Sequence, residues 1–119
     1  MTQTENEKMA RYIWHDILQR SIKTLSWGVD FSKIYVIEGG TKFYVQGFLV
    51  KGTVEICYQE GVDLFKVTIT PDETDKERII MEDVYADQLV DLIDEKVEHC
   101  ENYEKRVCEE YGITEKVAV

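Results

Sequence analysis

Residues 34–70, IYVIEGGTKFYVQGFLVKGTVEICYQEGVDLFKVTIT, decide the fold. Apolar and polar side chains alternate along this stretch with a period of two, the spacing of half-buried β-strands. Its glycines read as turns. Gly39-Gly40 makes a two-residue hairpin loop that pairs Val36 with Phe43 and Ile34 with Val45. A turn at Lys51-Gly52 pairs Leu49 with Val54 and Val45 with Tyr58. One at Gly61-Val62, glycine first as in a type II′ turn, pairs Tyr58 with Phe65 and Ile56 with Val67.

All three turns give the same division of faces. Face A collects Ile34, Val36, Phe43, Val45, Leu49, Val54, Ile56, Tyr58, Phe65, Val67 and Ile69. Face B carries the polar residues together with Tyr35, Ile37, Tyr44, Phe48 and Cys57. A slip of one residue would turn a whole strand over, so the agreement is informative. Pro71 ends the fourth strand, and Ile79-Ile80-Met81 is a candidate fifth.

The flanks have helical periodicity. Upstream, Thr4 and Glu7 have capping-box spacing. Ala10, Ile13, Trp14, Ile17, Leu18, Ile22 and Leu25 then cover an arc wide enough to touch both a sheet and a second helix. Downstream, residues 87–111 place Leu89, Val90, Ile93, Val97, Cys100, Val107, Cys108 and Tyr111 on one face. Asp83 or Asp87 can cap the start, and Gly112 suits the end. A helix of about 25 residues would be about 37 Å long at the usual rise. Glu104 interrupts its apolar stripe, and either lies beyond the sheet edge, where the stripe is half exposed, or pairs with a base such as Arg11 or Arg20.

The expected fold is α+β, a two-layer sandwich with both helices on face A and a four- or five-stranded antiparallel meander between them. One domain spans residues 1–119, with 1–4 and 114–119 frayed. The longest apolar runs are only a few residues, which excludes a membrane-spanning helix. With no signal-peptide pattern at the start and three cysteines without a CxxC pair, a cytoplasmic location is expected.

The net charge is −10, and residues 82–110 hold eleven acids against three bases. That acidity repels nucleic acid and anionic lipid. Its carboxylate row, Asp91, Asp94, Glu95, Glu98 and Glu101, suggests as one alternative a nucleic-acid mimic or a binder of a basic protein. A small-molecule sensor is a further alternative. No nucleophile elbow, phosphate loop, HxxxH or ExxH occurs, so neither catalysis nor a metal or cofactor is expected.

The leading expectation is a non-enzymatic interaction domain, a homodimer or an adaptor for a protein partner. Two contact surfaces are open to it. One is the aromatic patch on face B, built from a direct Tyr35–Tyr44 cross-strand pair with Phe48 and Phe31. The other is the end of the long helix, with Val107 and Tyr111.

Overall fold

The computed structural model describes residues 1–97. Helix α1 spans Gln3–Tyr12 and continues as a π-helical segment, Ile13–Leu18. Five antiparallel strands follow in the spatial order of the sequence: β1 Ile34–Ile37, β2 Gly40–Gln46, β3 Lys51–Gln59, β4 Leu64–Pro71 and β5 Ile79–Val84. Helix α2, Leu89–Val97, closes the described chain. The architecture is the α+β layout expected, with the fifth strand present.

Face A is the core. Phe43, Val45, Val54, Ile56, Phe65, Val67 and Ile69 are buried there against Ile13, Trp14 and Leu18 of helix 1 and Leu89, Ile93 and Val97 of α2. Each such side chain contributes about 1.5–3 kcal/mol by leaving water, which is why the period-two pattern controls the fold. Trp14 packs edge-on against Phe43, centroids 4.9 Å apart.

The faces are as read, but two registers are not. At the first hairpin Ile34 pairs with Phe43 and Val36 with Thr41, a shift of two residues. At the second, Phe43 pairs with Val54 and Val45 with Gly52, a shift of six, with residues 47–50 as the loop. Both shifts are even, so every strand keeps its face. Two glycines explain them. A Cβ on Gly40 would stand 1.8 Å from the Ile56 carbonyl oxygen, and one on Gly52 would stand 2.2 Å from that of Thr70. Both glycines serve close backbone approach inside strands rather than turns. The third register, Tyr58 with Phe65 and Ile56 with Val67, is as expected. Its loop is residues 60–63, however, and Asp63 rather than Gly61 takes positive φ.

Helix 1 differs more. Its capping box is Thr2 with Glu5, one of two overlapping T-x-x-E spacings. This start lets Asn6 accept from the Gly39 amide at 2.8 Å and donate to Glu38. The helix also stops early. In the π segment the Gln19 amide reaches the Trp14 carbonyl, and the buried Thr24 hydroxyl then takes the Leu18 carbonyl at 2.7 Å. Side-chain capture of a carbonyl competes with helix continuation. The chain restarts as a 3-10 turn, Ile22–Trp27, out of phase with the first part. Ile22 and Leu25, expected in the core, are therefore 83% and 73% exposed. Trp27 is buried in their place, and its indole N–H donates to Asp94 at 3.0 Å.

Leu89, Ile93 and Val97 of α2 are buried and Val90 is partly so, as the periodicity requires. Neither Asp83 nor Asp87 caps it. The Gln88 side chain instead accepts from the Tyr85 amide at 3.2 Å, at the 3-10 turn Ala86–Gln88. The Val97 carbonyl accepts from the Leu49 and Val50 amides of the β2–β3 loop. The expected helix beyond Val97, including Cys100, Glu104, Val107, Cys108, Tyr111 and Gly112, lies outside the described residues.

Candidate functional site

The sheet does not bring the expected aromatic patch together on face B. With the first hairpin shifted by two, Tyr35 pairs with Lys42 and Tyr44 with Thr53, so the two tyrosines are diagonal neighbours. The Tyr44 hydroxyl donates to Asp72, and Lys33 lies 5.4 Å from its ring centroid. The Asp72 hydrogen bond holds the Tyr44 phenol above its ordinary pKa, with burial second. Phe48 sits in the β2–β3 loop and not on a strand. Phe31, in the short 3-10 turn Phe31–Lys33, has its ring 6.2 Å from Trp14 and so belongs to the helix side. Val107 and Tyr111 lie outside the described residues.

Exposed apolar side chains are scattered, Ile22, Leu25 and Ile80 of β5 among them, but three lie together at the β1 edge of the sheet. β1 is an edge strand. Tyr35 on it is 53% exposed, Val36 44%, and Phe31 just ahead of it 61%. Beside the strand, between it and helix 1, lies a groove of about 460 Å³. Ala10, Trp14, Ile34 and Val36 form an apolar floor; Glu7, Arg11, His15 and Gln19 form a polar rim. An apolar centre inside a polar rim is the anatomy of a protein contact surface.

The floor is rigid for an identifiable reason. The buried Trp14 indole donates to the Thr41 hydroxyl at 3.1 Å, which donates in turn to the Tyr35 carbonyl at 2.9 Å. This relay ties β1 to the core through two side chains. At the far end of β1, Glu38 accepts from the Met1 amino group and from Asn6, and both bonds hold its carboxyl below the ordinary value. Periodicity placed Trp14 in the core correctly; nothing local in the sequence signalled its partner Thr41.

The carboxylate row of α2 is partly engaged. Asp91 pairs with Lys23 at 2.8 Å, Asp94 accepts from Trp27, and Glu95 is exposed. Glu98 and Glu101 lie outside the described residues. A second cleft of about 430 Å³ separates helix 1 from α2, lined by Tyr12, Asp16, Arg20 and Asp87 among others. Among the described residues no three metal-ligating side chains converge. Cys57, on face B, is half-buried; burial pushes its thiol up and Glu55 adds to the effect, which disfavours the reactive thiolate. Among them, too, no helix is long and apolar enough to cross a membrane. Compared with protein-family models, curated proteins and solved structures, the chain matches none.

Proposed function

We propose that the protein is a small non-enzymatic interaction domain whose contact surface is the open edge of β1 with the groove beside it. One observation carries the reading. An edge strand made only of Ile34, Tyr35, Val36 and Ile37 leaves large apolar side chains in solvent next to an apolar-floored groove.

Alternate residues of such a strand direct their amides and carbonyls away from β2, and another polypeptide can pair with them as an added strand. Main-chain hydrogen bonds would then supply affinity, and the groove would select side chains. The partner class is protein. Neither nucleic acid nor membrane is proposed, since the chain is acidic overall and the groove rim carries both signs of charge.

The test is nuclear magnetic resonance on isotope-labelled protein, in buffer and in an unlabelled extract of its own cells. Amide signals of Ile34–Ile37 should shift or broaden in the extract, while those of β5 stay in place. Unchanged β1 signals would remove the reading.

A further inference from the structure

We infer that the occupant of the β1 edge is an extended acidic segment of another protein. It sets an apolar side chain in the groove beside Val36 and a carboxylate, two residues away, by Arg11. This rests on the reading of β1 as the contact surface; the charges along the groove add the chemistry of the partner.

Helix 1 runs antiparallel to β1. Asn6 touches Glu38 and Gly39 at the strand's end, and Trp14 lies against Phe31 ahead of its start. Along the groove rim Glu7 therefore stands toward the end of β1, and Arg11 and His15 follow toward its start. Lys33, immediately before β1, adds a cation at that same end.

The acids near β1 are already engaged, and the bases are not. Glu7 accepts from the Gln3 side chain at 3.3 Å, Glu38 from Asn6 and the Met1 amino group, and Asp30 from Ser32. Lys42 and Glu55, opposite each other behind the edge, offset one another. Arg11, His15 and Lys33 form no ion pair among the described residues. A chain of net charge −10 is thus locally basic at the start of β1. Its overall charge opposes an acidic partner mainly at long range, where screening over about 8 Å at physiological ionic strength weakens it. At contact the nearest charges decide.

Strand geometry sets the spacing. Ile34 and Val36 line the groove, and the side chains of an added strand recur on that face at every second residue. A residue beside Val36 meets the small, buried Ala10; the next on that face lies by Ile34, toward Arg11 and His15. An apolar side chain suits the first place and a carboxylate the second, with one residue between them in either strand direction.

The backbone of helix 1 is shaped at the same place. π-helical turns are rare and gather at functional sites. The one here, Ile13–Leu18, carries Trp14 of the floor and His15 of the rim, and Gln19, which caps it, is also on the rim.

The experiment is a nuclear magnetic resonance titration of the labelled protein with short capped peptides. The acidic probes are Thr-Leu-Thr-Glu-Thr and its reverse, Thr-Glu-Thr-Leu-Thr. A basic probe of each order has lysine for glutamate, and a polar one has serine for leucine. At least one acidic probe should shift the Ile34–Ile37 amides and the Trp14 indole N–H, while β5 amides stay in place. The matching basic probe should bind about fivefold more weakly and the polar one about tenfold. Arg11 is exposed, so Arg11→Glu should fold, which circular dichroism checks, and should reverse the preference between acidic and basic probes. Acidic and basic probes that bind the wild type alike overturn the inference, as does an Arg11→Glu protein that keeps the wild-type preference. If extract moves the β1 amides and no acidic probe does, the acidic occupant is wrong and the contact edge stands. If neither moves them, both readings fall.

Discussion

The sheet has two edges, β1 and β5, and they treat solvent differently. β5 carries a bulge: Met81 pairs with Val67 and Val84 with Phe65, which leaves Glu82 and Asp83 opposite a single residue. Asp83 holds positive φ there, and both acids are exposed, Glu82 lying 3.7 Å from Lys66. Bulges and charges of this kind block pairing with another strand, and the same bulge returns Val84 to the core. β1 has neither device. It is a straight run of Ile34, Tyr35, Val36 and Ile37 whose one protection among the described residues is its shortness. Among the described residues, β5 exposes Ile80 but is blunted by its bulge and acids, while β1 is left apolar and open, an asymmetry that solubility alone does not require.

The largest effect expected comes from breaking the hairpin that presents β1. Gly40→Ala drives a methyl group into the Ile56 carbonyl, and neither backbone can yield without parting β2 from β3. A loss of about 3 kcal/mol or more is expected from urea denaturation. A loss below about 1 kcal/mol would mean that the close approach is wrong. Trp14→Phe comes next. It removes the indole N–H from Thr41 and leaves a gap beneath the groove, for a cost of about 1–2 kcal/mol. β1 amides should then exchange faster while those of β5 do not.

Asp83→Gly sharpens the comparison from the other edge. Relief of positive φ should stabilise the protein by up to about 1 kcal/mol, read as a raised denaturation midpoint. A clear loss would show that the Asp83 side chain is needed at the bulge. The smallest effect concerns pH. The Tyr44 phenol, raised by its bond to Asp72, should ionise above the ordinary tyrosine range by phenolate absorbance. Because the folded value is raised, its stabilising contribution is complete below the unfolded phenol's pKa and disappears as pH rises through the folded one. Asp72→Ala should return Tyr44 toward ordinary behaviour.

Much of the fold was legible in the sequence, and the particular places where it was not have physical causes. Alternation fixed the faces of β2, β3 and β4 because burying one side of a strand leaves no other parity. It did not fix turn positions, because a glycine that permits close backbone approach reads the same as one that makes a turn. Gly40 and Gly52 are of the first kind. That two-residue shift places Tyr35 opposite Lys42 and leaves Tyr35 and Tyr44 as diagonal neighbours on face B.

Periodicity predicts a longer helix 1 than the chain forms, because Thr24 captures the Leu18 carbonyl across six residues, a contact that periodicity does not register. Asp94 has the spacing of a solvent-facing acid on α2, yet it takes the indole of Trp27, a partner 67 positions away. Periodicity reports which side of an element meets the core. It is silent on which edge of the sheet is left unprotected.

Amide hydrogen exchange at the two sheet edges, in buffer and in an extract of the protein's own cells, tests the central claim most directly. The account predicts that β1 amides gain protection in the extract, while β5 amides keep one rate in both. Protection unchanged at both edges, or gained equally at both, would contradict it.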